Sequence, residues 1–178
     1  MKKLLVLGAI ASVVAFSSVA SANSGTINFT GTITSATCTI SPVVNGGVSS
    51  SINLGNLDTS LTGAKAVPFS LAPAGTSASD CLAKTAADIS WSSPVMDPAG
   101  LANNGGSATG VSLELKAINA TKANDLVTDS NRVIAYSVTA PTKLAKFDYE
   151  AKLVKTVTSG AISAGNFTTS ASYTVAYK

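Results

Sequence analysis

The stretch that decides the fold is C-terminal: Phe167-Thr168-Thr169-Ser170-Ala171-Ser172-Tyr173-Thr174-Val175-Ala176-Tyr177. Phe167, Ala171, Tyr173, Val175 and the penultimate Tyr177 share one parity, while small or hydroxylated residues fill the other. Successive side chains of a strand point to opposite faces, so this pattern predicts a long terminal strand with one apolar face, preceded by Gly165. The other end of the chain has the same period. In Thr26-Ile27-Asn28-Phe29-Thr30-Gly31-Thr32-Ile33, the residues Ile27, Phe29, Gly31 and Ile33 lie on one side, and the strand pattern runs on through Thr37-Cys38-Thr39-Ile40.

Between these ends, similar alternation recurs over residues 51–57, 66–71, 87–91, 111–117, 132–138 and 147–153, and helical periodicity is nearly absent. The connections carry Asn45-Gly46-Gly47, Pro73-Ala74-Gly75, Pro98-Ala99-Gly100, Asn103-Asn104-Gly105-Gly106 and Ser159-Gly160, residues that supply a positive or fixed φ. About eight short strands in about 150 residues predict an all-β, antiparallel sandwich of immunoglobulin-like kind. Trp91, the lone tryptophan, is expected between its two sheets.

The 178 residues amount to one domain, with 46% hydrophobic and 12% charged residues. An average globular chain is roughly 25% charged, so there is ample apolar material for a core. The apolar excess is concentrated N-terminally, where Lys2 and Lys3 precede an apolar run over residues 4–16 that is too short to span a bilayer. Ala20-Ser21-Ala22 then offers small residues at signal-peptidase spacing, so residues 1–22 are expected to be a secretory signal cleaved before Asn23. Without Lys2 and Lys3, ten basic residues face nine acidic ones, and the net charge falls from +3 to +1. One arginine and dispersed lysines give no nucleic-acid footprint.

Cys38 and Cys81 are the only cysteines, and on a secretory route they are expected to pair. Closing a loop of roughly 43 residues would stabilise the fold by up to about 4 kcal/mol in the chain-entropy view. Without histidine, no metal site is expected, and neither a Ser-His-Asp triad nor a histidine base is available. Asp148 and Glu150, two apart on one strand face, could form a glycosidase pair but fit a solvated edge better. No catalytic residue and no cofactor is expected. Asn28, Asn119 and Asn166 head glycosylation sequons that matter only in a eukaryotic host.

The two ends together resemble pilin subunits of the chaperone-usher pathway. In that family a glycine fourteenth from the end and a penultimate tyrosine frame the terminal strand, as Gly165 and Tyr177 do here. A first-strand cysteine there pairs with a second roughly forty residues on, as Cys38 and Cys81 would. Gly25-Thr26-Ile27-Asn28-Phe29, Ser35-Ala36-Thr37-Cys38-Thr39-Ile40, Asp80-Cys81-Leu82-Ala83-Lys84-Thr85 and Phe167-Thr168-Thr169-Ser170-Ala171-Ser172 are most similar to the major subunits of sialoglycan-binding fimbrial antigens of enterotoxigenic enterobacteria. The likeness covers the mature chain, strongest at both ends and weakest over residues 92–155.

The resemblance implies an incomplete immunoglobulin-like sandwich lacking its last strand, completed by a donor strand from a neighbouring subunit. Residues 23–33 would be the donor extension, with Ile27, Phe29 and Ile33 entering pockets and Gly31 allowing close backbone approach. Residues 34–178 would be the pilin domain, its acceptor-groove edge carrying Gly165, Phe167, Ala171, Tyr173, Val175 and Tyr177. The implied partners are identical pilin subunits in a head-to-tail filament, a periplasmic chaperone and an outer-membrane usher. The implied destination is a fimbrium on the bacterial surface, reached through the periplasm, and the implied role is a shaft subunit, the major one, mediating host adhesion. In the sialoglycan-binding relatives the subunit itself contacts glycan, which points here to Lys143, Lys146, Lys152 and Lys155; a further basic residue expected between Lys155 and Gly165 is missing. Two alternatives stay open: Ile27 and Phe29 as an ordinary first strand of their own domain, and a secreted monomeric β-sandwich that binds carbohydrate.

Overall fold

The computed structural model describes residues 38–74, 78–157 and 161–178. The expected signal (1–22) and donor extension (23–33) lie outside the described residues. The described residues form eleven strands and one short helix: β1 (Thr39–Val44), β2 (Gly47–Val48), β3 (Val67–Ala74), α1 (Ala78–Leu82), β4 (Ala86–Ser92), β5 (Met96–Asp97), β6 (Gly100–Ala102), β7 (Val111–Ala117), β8 (Asp125–Val127), β9 (Val133–Ser137), β10 (Phe147–Lys155) and β11 (Ser172–Tyr177). All pairings are antiparallel. One sheet runs β2-β1-β3-β10-β7-β6-β5 with β8 beside β7, and the other runs β11-β4-β9.

Period-two alternation builds the core between these sheets. In β10, Phe147, Tyr149 and Ala151 point inward and are buried, while Asp148, Glu150 and Lys152 alternate with them. From the opposite sheet come Ala87, Ile89 and Trp91 of β4, Ile134 and Tyr136 of β9, and Val175 and Tyr177 of β11. The Trp91 Nε1–H donates to the Tyr149 hydroxyl at 3.1 Å, and the two rings meet edge to face with centroids 5.1 Å apart. Trp91 thus spans the sandwich, with its one polar atom satisfied across the sheets. The disulfide joins Cys38, just before β1, to Cys81 in α1, with Cα atoms 6.3 Å apart.

Two predicted strands come out differently. Residues 51–57 form no strand: burial alternates through half-buried Ile52 and Leu54, then breaks at exposed Gly55 and Asn56 before half-buried Leu57. Asn53 Oδ1 accepts the Gly55 N–H at 2.8 Å, and Gly55 has φ of 81°, a local turn that competes with ladder formation. The terminal strand is shorter than the predicted 167–177 and begins at Ser172. The stretch before it bonds to the loop after β6 instead: Asn104 N–H donates to Thr168 C=O at 2.7 Å, and Ala108 N–H to Asn166 C=O at 3.1 Å. The Asn45-Gly46 pair behaves as predicted, with φ of 50° and 80° closing the β1–β2 hairpin.

Candidate acceptor groove

The terminal segment forms one wall of a groove between the sheets, and the half-buried 52–61 segment forms the other. The wider part, about 570 Å³, lies between Leu57, Leu61, Val111, Leu153, Ile162 and Gly165. The deeper part, about 360 Å³, has Phe69, Leu71, Trp91, Leu115 and Ala151 on its floor and Ala171 and Tyr173 at its side. Ile52, Leu54, Phe167 and Thr168 line both parts, so the two are continuous. The lining of the deeper part is mainly apolar, whereas in the wider part Asn53, Asn56, Asp58, Thr59, Ser163 and Asn166 stand among the apolar side chains. Among these, Asp58 accepts hydrogen bonds from the Ser60 hydroxyl at 2.6 Å and the Thr62 N–H at 3.1 Å, and the Ser60 bond above all holds its carboxyl below the ordinary range. The Thr169 hydroxyl, on the groove wall, is buried and meets no hydrogen-bond partner among the described residues.

Backbone direction completes the site. The Lys178 N–H donates to Ala86 C=O at 2.9 Å, and the register continues Tyr177 opposite Ala87 and Tyr173 opposite Trp91. Donors alternate along an antiparallel strand, so the even-numbered residues of β11 bond to β4, and the N–H and C=O groups of Tyr173, Val175 and Tyr177 face the other way. Among the described residues no strand pairs with that edge. The edge of β1 is more protected. Pro42 has no N–H, its C=O accepts Ser49 N–H at 3.0 Å, and the Tyr173 hydroxyl donates to Ile40 C=O at 2.9 Å. Burial raises the Tyr173 pKa, which keeps this hydroxyl a neutral donor.

The expected acceptor residues therefore separate into two groups. Gly165, Phe167, Ala171 and Tyr173 line the groove. Val175 and Tyr177 offer only their backbone to the open edge; their side chains are in the core, where the Tyr177 ring lies 5.9 Å from that of Phe147 and burial pushes its hydroxyl up to about 12. Gly165 has a steric reason: a Cβ there would lie 2.4 Å from Ser107 Oγ and 2.6 Å from Ala108 N. The expected donor residues Ile27, Phe29, Gly31 and Ile33 lie outside the described residues. Sequence reasoning missed the 52–61 wall, whose one signal was alternation without an obvious partner.

The four lysines do not converge. Lys143 and Lys146 precede β10, Lys146 pairs with Asp148 at 3.0 Å, and Lys152 stands opposite Glu114. At about 3.3 Å per residue, Lys146 and Lys155 are roughly 30 Å apart, and Lys155 has the opposite parity to Lys146 and Lys152, so the four lysines share neither a pocket nor one face. Glu150 pairs with Lys116 at 3.5 Å, and Asp148 also accepts the Ser70 hydroxyl at 2.6 Å. β10 lies between β3 and β7 and not at the expected solvated edge, and both acids are held in ion pairs on the outward face of the sheet interior.

Comparisons with known proteins agree with this architecture. No protein-family model matches the chain. The K99 fimbrial protein of Escherichia coli is 42% identical over 164 residues, covering 89% of each chain. The F107 fimbrial protein of Escherichia coli is 32% identical over 162 residues, again covering 89% of each. The crystal structure of the P pilus rod subunit PapA superposes with a TM-score of 0.55 over 86% of this chain and all of that one, at 18% identity. The shared fold is an immunoglobulin-like sandwich lacking a strand, and the gap falls beside β11 over the apolar groove. The extent and identity of these matches, together with that missing strand, place the chain in the family of chaperone-usher fimbrial subunits, structural proteins and not enzymes.

Proposed function

We propose that the chain is the shaft subunit, the major one, of a surface fimbrium, and that its groove takes up residues 23–33 of a second copy as the missing strand. The observation that carries this is the open edge of β11 above an apolar groove. An extended segment laid there would ladder with the N–H and C=O groups of Tyr173 and Val175 and bury one face. The segment that fits is the one with Ile27, Phe29, Gly31 and Ile33 on one parity. Full burial of Ile27, Phe29 and Ile33 would contribute on the order of 6 kcal/mol, with Gly31 allowing close approach. Because donor and groove are different patches, each joint leaves a free donor and a free groove, and growth is head to tail.

An empty groove of this kind promotes aggregation. A periplasmic chaperone is therefore proposed to cover it after the signal (1–22) is removed, and an outer-membrane usher to exchange that cover for the next subunit. Residues 34–178 then form the pilin domain. Adhesion to an anionic host glycan is assigned to the separate lysines Lys143, Lys146, Lys152 and Lys155, any of which would meet a sialate carboxylate through charge-assisted hydrogen bonds.

Electron microscopy of bacteria expressing the whole operon tests the assembly. Phe29→Asp puts an unpaired carboxylate in the apolar groove, at a cost of several kcal/mol. The expected result is a soluble, disulfide-bonded subunit without filaments, while Asn28→Asp, on the opposite parity, still gives filaments. Loss of the Phe29→Asp subunit before assembly would make the segment an internal strand of its own domain.

A further inference from the structure

The groove wall that carries Phe167 is not held by the sheet to which the terminal strand belongs. Residues 163–168 attach instead to the loop joining β6 and β7, and the attachment centres on one side chain. Asn103 Nδ2 donates to Ala108 C=O at 2.7 Å and to Asn166 C=O at 3.3 Å. Asn103 Oδ1 accepts the Gly106 N–H at 3.2 Å and the Thr168 N–H at 2.9 Å. One amide thus uses both donors and its acceptor to tie the loop to itself and to the wall on each side of Phe167.

Steric contacts reinforce the tie. A Cβ at Gly106 would lie 1.9 Å from Asn166 O, and one at Gly165 would lie 2.4 Å from Ser107 Oγ, so the two backbones approach as closely as glycine allows. Further along, Thr109 N–H donates to Ser163 Oγ at 3.0 Å. The terminal segment therefore changes allegiance within a few residues. Up to Thr168 it is fastened to the β6–β7 loop of the large sheet, and from Ser172 it pairs with β4.

We propose that Asn103 is the positioning residue of the acceptor groove, fixing the height of the Phe167 wall above the floor before any strand enters. It touches no occupant, and its effect is preorganisation: a wall already in place need not be ordered when the strand is captured. The proposal rests on the groove being a strand acceptor.

The test uses the mature Phe29→Asp subunit, whose groove is intact but which cannot donate, and a synthetic peptide with the sequence of residues 23–33. In the Asn103→Ala background, hydrogen exchange at the Thr168 and Ala108 amides should speed up and peptide capture should slow about tenfold. The thermal midpoint and the near-ultraviolet signal of Trp91 should hardly move. A residue that merely supports the fold would instead lower the midpoint and leave capture by the folded fraction unchanged, which would overturn the proposal. Asn103→Ser keeps a short oxygen that can still accept the Gly106 N–H within the loop but does not reach the wall; its capture should slow as in Ala, and it carries the test if Ala does not fold. Failure of the wild-type groove to capture the peptide would overturn the strand-acceptor function itself, an outcome distinct from equal capture by wild type and both Asn103 variants.

Discussion

The small sheet has two edges, and the chain finishes them differently. At β9 the 119–122 loop covers the edge: Thr121 N–H donates to Ala135 C=O at 2.9 Å, and the Thr121 and Ser137 hydroxyls lie 3.0 Å apart. At β11 the outward N–H and C=O groups of Tyr173 and Val175 meet no strand among the described residues, and an apolar groove opens beside them. An uncovered edge is normally a liability. One edge is open while its twin is dressed, and only the open side is lined with Leu54, Phe167 and Trp91, an asymmetry that the proposed strand exchange would use.

The strongest way to break this comparison is to separate the two halves of the joint. Phe167→Asp should spoil the groove and Phe29→Asp the donor, so neither variant alone should form filaments. Mixed, the intact donor of one should enter the intact groove of the other. One joint then forms and no second can follow, so the expected product is a heterodimer, read by size exclusion or native mass spectrometry. Filaments from the mixture, or from either variant alone, would mean that assembly uses another surface.

A sharper contrast lies within the terminal segment. Tyr177 is 7% exposed and packs on Phe147, whereas Phe167 is half-buried between the two parts of the groove. Tyr177→Ala should therefore destabilise the folded subunit by about 3 kcal/mol, a value typical of a large buried side chain lost from a core. Phe167→Ala should cost the fold well under half of that and chiefly weaken strand capture. Denaturant unfolding and peptide capture, measured on both variants, check the division; equal losses of stability would place Phe167 in the core as well.

How far these features were legible in the sequence follows from their length and locality. β7 and β10 coincide with the predicted 111–117 and 147–153, because inward Leu115, Phe147 and Tyr149 alternate with outward charges over whole strands. β2, β5 and β8 are two or three residues long and carry no period to detect. Residues 51–57 have the period but pair with no strand among the described residues, and strand pairing is a non-local property that alternation cannot report. The C-terminal edge of the groove entered by resemblance, and its second wall was beyond alternation for the same reason: Ile52 to Leu61 and Ile162 to Tyr173 are about a hundred residues apart. Gly165 entered by resemblance alone, since its reason, contact with Ser107 and Ala108, exists only in the folded chain. Asn103 read as a turn residue because its four bonds reach partners on two separate segments.

The smallest expected effect belongs to the covered edge. Ala135 and Ser137 are exposed on β9, so a lysine at either position has room to leave its ammonium in water, and such surface changes usually stay within about 0.5 kcal/mol. A lysine there also strengthens the defence that Thr121 already provides, because a charge on an edge discourages another strand from pairing. Ser137→Lys should therefore leave the unfolding midpoint and the number and length of filaments as in wild type. Ala171→Lys puts the same charge on an exposed residue of the groove wall and should abolish filaments, again without unfolding the subunit. Both variants place the same side chain on an exposed residue, and the edge that receives it decides the outcome. Loss of filaments in Ser137→Lys at normal subunit levels would place β9 in the assembly contact and remove the asymmetry between the two edges.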